Sequence, residues 1–348
     1  MLPALALYKE GVQTSIRTAL LSLAIGFAAL SKEAAPVPII FDTDMDSDCD
    51  DVGALAMLHV LADRGEAVIL ATVTSSKSDD AIECVDAINT YFGRPDLPTG
   101  SPKGEAPKQA SKFAREVAKL FPHKLDSQEK AADAVHVYRK ILIAQPDQSV
   151  VIVTVGDLTN IAALLKLPAE AAAPSGIDLV RKKVREWVCM GGNFVGRPAK
   201  DDLKLGNNNF TSDKAASHYA VQNWPVKVTF VGREIGSVPS GLKAGARLND
   251  LPESSPIRMG YQFYFGGKVK DRHVADQTTV LYAVRGLRDY WDAETQGYMD
   301  LQPDMTFEWR YDKDKQHSYL LKRKVDGKPN DHVIERTIED LMMQPPKK

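Results

Sequence analysis

The sequence predicts a single α/β domain with a mainly parallel central sheet covered by helices on both faces. Three observations carry this expectation. Strand-like and helix-like segments alternate along the chain, the strand segments are short apolar runs suited to burial, and no linker-like stretch divides the sequence. Val37 to Phe41 reads as the first strand, followed by an acidic loop and a helix with Leu55, Leu58 and Leu61 at helical spacing. Ala67 to Thr74 reads as a second strand and Ala81 to Phe92 as a helix, stopped by Gly93-Arg94-Pro95. Residues 127 to 144 read as a helix, Ser149 to Val155 as a buried strand, Asn160 to Lys166 as a helix and Val184 to Met190 as a strand. Ser212 to Val221 then fits a helix, Val226 to Val231 a strand and Thr278 to Val284 a helix start. Alternating aromatic and charged residues from Phe307 to Val325 suggest a late hairpin, and Ile334 to Met343 a closing helix. In such a fold ligands bind beyond the carboxyl ends of the strands.

Composition narrows the function. The 348 residues carry 44 basic and 46 acidic side chains, a net charge of −2, with 26% charged and 44% hydrophobic residues. That balance fits a globular enzyme or binding protein and speaks against nucleic acid as a partner, because no basic excess exists to neutralise phosphates. Three scattered cysteines, Cys49, Cys84 and Cys189, form neither a disulfide framework nor a zinc motif, and are expected to be free buried thiols. An apolar run from Ala19 to Leu30 follows Lys9 and Arg17 and precedes small residues at Ala34 and Ala35. This is the pattern of a secretory leader over residues 1 to 35, too short to span a bilayer comfortably, so residues 36 to 348 are expected to form an exported domain with no membrane span. The alternative is a cytoplasmic protein with an N-terminal extension.

The chemistry lies in the first strand-to-helix junction. Asp42, Asp44, Asp46, Asp48, Asp50 and Asp51 put six carboxylates within ten residues, and nothing basic in the local sequence offsets them. Such crowding raises carboxyl pKa values, and a divalent cation is the usual remedy. An all-oxygen donor set selects a hard ion, and flexible coordination by several carboxylates favours Ca²⁺. An EF-hand does not fit, because counting from Asp44 places Cys49 where glycine belongs and Leu55 where glutamate belongs. A phosphatase with Asp42 as nucleophile and Asp44 as acid remains a rival reading, and a solvated acidic turn leading the next helix is the bland one.

The loop Asp42-Thr43-Asp44-Met45-Asp46-Ser47-Asp48-Cys49-Asp50-Asp51 resembles the signature Asp-Thr-Asp-Met-Gly-Asn-Asp-Val-Asp-Asp of a bacterial variant of the calcium-dependent nucleoside hydrolase family. Four later segments follow in that family's order: Ala87 to Pro98, Val155 to Ala162, Met190 to Phe194 and Asp276 to Val284. The resemblance implies a Rossmann-like single domain that hydrolyses the N-glycosidic bond of a ribonucleoside or related ribosyl compound with one Ca²⁺, and often a dimer or tetramer. It implies that Asp44, Asp51, the backbone carbonyl of Val155 and Asp276 hold the ion, with Asp44 also the base that takes a proton from the attacking water. Asp50 and Asn209 are implied to hold the ribose hydroxyls, and Met190 and Asn193 to line the same pocket.

Four stretches depart from the family pattern, one of them Thr74-Ser75-Ser76-Lys77 after the second strand, which lacks the family's Gly-Asn pair and so leaves the nucleobase unnamed. Asp46-Ser47 stands for Gly-Asn, adding charge beside the metal loop. Asn207-Asn208-Asn209 stands for Glu-X-Asn, so Asn207 alters the contact to the 5′ end of the ribose. Ala275 stands where histidine or tryptophan precedes the last aspartate, which leaves His273 as the candidate proton donor to the leaving base. The chemistry has its own logic. Breaking a ribosyl C–N bond builds positive charge on the sugar, so a carboxylate-lined cleft stabilises the transition state more than the ground state. A non-catalytic nucleoside or sugar binder with the same fold is the remaining rival.

Overall fold

A computed structural model describes residues 35–171, 173–195, 201–202, 208–237 and 241–347. The leader expected at residues 1 to 35 and the expected contact residue Asn207 lie outside the described residues, apart from Ala35. From Pro36 onward the chain forms one compact unit.

Nine strands make the central sheet: β1 (Val37–Thr43), β2 (Ala67–Thr74), β3 (Thr99–Ser101), β4 (Ala132–Asp133), β5 (Val150–Thr154), β6 (Val184–Met190), β7 (Val228–Val231), β8 (Trp291–Glu294) and β9 (His317–Lys322). Their order across the sheet is β8-β9-β7-β6-β5-β1-β2-β3-β4, and every pairing is parallel except that of the edge strand β8 with β9. The expected fold class is therefore the observed one. The chain runs outward from β1 through β2, β3 and β4, then returns to lay β5 against the other side of β1. That reversal makes the carboxyl ends of β1 and β5 the point where a ligand cleft opens.

Side-chain alternation along the strands sorts the interior into two layers. Ile39 and Phe41 of β1 join Val151 and Val153 of β5 in one core, while Ile40, Val150 and Ile152 join the other. The first core is closed by α1 (Asp50–Asp63), α2 (Ala81–Tyr91), α10 (Pro256–Phe265), α11 (Ala275–Arg285) and α12 (Asp331–Met342). The second is closed by α4 (Ala134–Ala144), α5 (Thr159–Lys166), α6 (Gly176–Lys183) and α8 (Lys214–Asn223). The remaining described helices are α3 (Ala114–Leu120) and the single turns α7 (Asn208–Thr211) and α9 (Arg233–Gly236). Among the described residues no helix is long and apolar enough to cross a membrane.

Several boundaries differ from the sequence reading, each for a local reason. The helix expected at 127 to 144 begins only at Ala134, where Asp133 accepts a hydrogen bond from the Val135 amide at 3.1 Å and so caps the first turn. The helix expected from Ser212 begins at Lys214, with Asp213 accepting from the Ala216 amide at 3.0 Å. The hairpin expected between Phe307 and Val325 is not one. Thr306–Arg310 pairs with Tyr298–Leu301 in a separate small sheet, whereas β9 enters the central sheet between β7 and β8. Alternation marks both as strands but carries no record of which sheet each one joins. The basic run Lys182, Lys183 and Arg185 forms the last turn of α6 and the start of β6, where the lysines meet the negative end of the helix dipole. The cysteines are free and buried, as expected.

Candidate active site

The site begins where β1 ends. Asp42, registered between Val73 of β2 and Thr154 of β5, points to the same side as Ile40, into the layer of α4 and α5. It is fully buried. The Tyr138 hydroxyl donates to it at 2.8 Å and the Asn160 amide at 3.2 Å, and Asn160 also donates to the Thr74 carbonyl at 2.8 Å. Burial pushes its carboxyl up to about 7 against the pull of these donors. Asp42 thus braces three elements under the cleft floor, a placement that gives an incoming phosphate no access to it. Asn160 accordingly acts as a brace between β1, β2 and α5.

One residue on, Thr43 points to the other side and donates its hydroxyl to Asp51, while the Met45 amide reaches the Thr43 oxygen at 3.2 Å. Met45 sits at φ 50°, a turn that swings the chain back over the strand end. The loop then enters α1, whose first residues are Asp50 and Asp51, where the helix dipole favours negative charge. From far along the chain α11 packs across α1 and brings Asp276 in its first turn.

Asp50, Asp51 and Asp276 each place a ligand atom within 4.8 Å of the others, and all three are buried. Asp44 joins a neighbouring group with Asp46 and Asp157 under the same spacing. Burial pushes the carboxyls of Asp44, Asp50 and Asp276 well above the usual range, with the surrounding aspartates pushing further, and raises Asp51 to about 7. So many buried acids hold charge together only if a cation offsets it, and the all-oxygen set suits a hard divalent ion.

One cleft gathers most of the residues expected from the sequence. Asp44, Asp50, Asp51, Val155, Met190, Asn209, His273 and Asp276 all line it. The Asn209 amide donates to the Val155 carbonyl at 2.7 Å and to the Met190 carbonyl at 3.3 Å, tying α7 to the ends of β5 and β6. Gly156 permits this convergence, because a Cβ there would stand 2.3 Å from the Asp44 amide nitrogen. Asn193 is half-buried just after β6 but is not among the lining residues.

Four lining or neighbouring residues carried no role in the sequence reading. Arg272 donates through Nε to both oxygens of Asp48 at 2.9 and 3.0 Å, so the acidic loop does have a basic partner, 224 residues away in sequence. Arg233 also lines the cleft. Asp46, which adds charge beside the metal loop, is fully buried and receives the Ser78 hydroxyl at 3.0 Å. Asp157 lies in a segment already marked by the resemblance, and its position just past β5 was the signal that could have found it. His273 is half-buried, and burial together with adjacent Arg272 lowers its pKa.

Comparison with known proteins agrees with this fold. Residues 39–330 match the family model described as inosine-uridine preferring nucleoside hydrolase. No curated protein matches the chain by sequence. Among solved structures it is similar to a plant nucleoside hydrolase, the PpNRh1 enzyme, at 17% identity and TM-score 0.61, covering 89% of this chain and 100% of that one. It is also similar to the inosine-uridine preferring nucleoside hydrolase of Bacillus anthracis, at 15% identity and TM-score 0.63 over 88% of this chain and 99% of that one. A third is the type III effector protein XopQ complexed with adenosine diphosphate ribose, at 16% identity and TM-score 0.63 over 94% and 98%. With a family match that spans the domain from β1 almost to α12, the chain belongs to the inosine-uridine preferring nucleoside hydrolase family.

Proposed function

We infer that this protein hydrolyses the N-glycosidic bond of a ribonucleoside or related ribosyl compound, releasing the free base and ribose, with Ca²⁺ as cofactor. The observation that supports this most is the meeting of Asp276 with Asp50 and Asp51 in the cleft that Asp44 and Asn209 also line. Asp51, Asp276 and the Val155 carbonyl would hold the ion beside Asp44, a donor set that fits a hard cation. When bound, the ion would acidify and orient a water.

The chain's own groups do the rest. Asp44 would take the proton of the attacking water, and Asp50 with Asn209 would fix the ribose hydroxyls so that the anomeric carbon faces it. The carboxylates around the sugar would stabilise the positive charge that builds as the C–N bond breaks. His273 is the only imidazole among the described lining residues and so the candidate donor to the leaving base. Its lowered pKa leaves it neutral at pH 7, so proton donation through it should strengthen toward acid pH.

Release of reducing sugar, measured over a nucleoside panel with Ca²⁺ and with chelator, tests the reading. Ca²⁺-dependent release that disappears in folded Asp44→Ala supports it, and full turnover in that variant removes Asp44 as the base. Ribosyl nucleotides belong in the panel, because Arg233 lines the cleft and the similar effector protein was complexed with adenosine diphosphate ribose.

A further inference from the structure

The geometry points to a second cation site beneath the cleft floor, formed by Asp44, Asp46 and Asp157 and distinct from the group of Asp50, Asp51 and Asp276. Its ligand is Ca²⁺. One carboxylate oxygen from each of the three lies within 4.8 Å of the others, a spacing that oxygens at Ca²⁺ ligand distances of about 2.3–2.6 Å from a common centre can satisfy.

Two further observations point to a ligand there. Asp157 is fully buried, and neither of its carboxylate oxygens makes a well-formed hydrogen bond among the described residues, the Ser212 hydroxyl bearing on it only loosely. A buried carboxylate left so is costly unless a cation or a proton meets it. Ser75 adds a neutral oxygen. Its hydroxyl is buried without a partner among the described residues, and it lies 2.5 Å from the point where a Cβ on Gly156 would stand, a point 2.9 Å from the Asp44 Cβ. The charges bearing most on Asp44 and Asp157 are all carboxylates, so among the described residues no cation is a leading influence on this group.

The site does not restate the family's own ion. Asp46 stands where the family signature carries glycine, and the Ser78 hydroxyl and Ser47 amide hold its carboxylate in place. Asp44 belongs to this group by distance and to the cleft by exposure, so one carboxylate would stand between two ions. The inference does not depend on the proposed activity.

Cation content decides it. The full chain is stripped with chelator and titrated with Ca²⁺ by calorimetry, and bound calcium is counted by elemental analysis in the parent, Asp157→Asn, Asp46→Gly and Asp276→Asn. Two ions per chain in the parent and one in each variant is the expected result. Asp46→Gly reinstates the residue of the family signature, so a folding failure of Asp157→Asn does not remove the test, and circular dichroism checks each variant. A single parental ion lost in Asp276→Asn but kept in Asp157→Asn and Asp46→Gly overturns the site, as does no ion in the parent. A single ion lost in Asp157→Asn and Asp46→Gly but kept in Asp276→Asn upholds it and removes the cation from the proposed catalytic group instead.

Discussion

Gly53→Ala is the most informative single-methyl change in this fold. Gly53 lies within α1, two residues past Asp51, where α11 and α12 press against it. On helix propensity alone alanine should stabilise the helix by about 1 kcal/mol. The structure reverses that sign. A Cβ at position 53 would lie 2.4 Å from Gln277 Nε2, 2.6 Å from Tyr261 Oη and 2.7 Å from Met342 Sδ, where ordinary contact needs 3.4 Å or more. Three buried side chains from three helices must retreat together, and the Gln277 to Tyr261 hydrogen bond of 2.8 Å is forced open. Overpacking costs about 1–3 kcal/mol and the lost bond about 1 kcal/mol, so the net effect is a destabilisation of about 1–3 kcal/mol. For a domain of this size that is a fall in Tm of roughly 2–8 °C. The consequence for function follows from Asp276, the neighbour of Gln277. Displacing the support behind a metal ligand weakens binding by about tenfold or more, so moving α11 should lower Ca²⁺ affinity by that order. Thermal melting with and without Ca²⁺ reads both effects. A variant as stable as the parent, with an unchanged Ca²⁺-induced rise in Tm, would refute the tight α1 to α11 contact as the device that positions Asp276.

Other perturbations probe other layers. Asp42→Asn should keep turnover within about tenfold of the parent, because Asp42 lies outside the cleft lining; complete loss with the fold intact would favour the phosphatase reading. Asn160→Ala removes donors to Asp42 and to the Thr74 carbonyl, and the two unsatisfied buried acceptors should cost about 2–4 kcal/mol, read by urea unfolding. His59 is fully buried, accepting a hydrogen bond from Arg94 at 3.2 Å and donating one to Asn89 at 2.9 Å, and burial together with the Arg94 charge holds its pKa down at about 3. Its folded pKa lies below the unfolded value of 6.5, so its stability is present above pH 6.5 and is lost as pH falls toward 3. The loss is about 5 kcal/mol over that window. His59→Gln should flatten this part of the stability profile, and an equally steep acid limb in the variant would remove His59 from the account.

How far the site could be read from sequence depended on how each residue reaches it. The strand-turn-helix from Val37 to Asp63 was legible because its apolar run, its acidic loop and its helical spacing are all local. Asp276 was legible through the family segment it begins, since no local pattern says that α11 crosses α1. The Arg272 to Asp48 pair left no mark at all, for two opposite charges 224 residues apart are indistinguishable from two solvated ones. The short strands β3 and β4 were missed because three and two residues cannot show a period. Yet the sheet order explains why the missed Asp157 belongs with Asp44. Parallel strands on either side of a chain reversal end side by side, so whatever follows β5 must face whatever follows β1. Here β1 is followed at once by Asp44, and β5 by Asp157 three residues after its end. Folding therefore concentrates buried negative charge at one point, at a cost the two apolar cores bear unless a cation is present. Ca²⁺ binding and stability should on this argument be one linked quantity, with Tm rising with Ca²⁺ concentration as mass action requires, and a Ca²⁺-independent melt would break the link between this acidic junction and its ion.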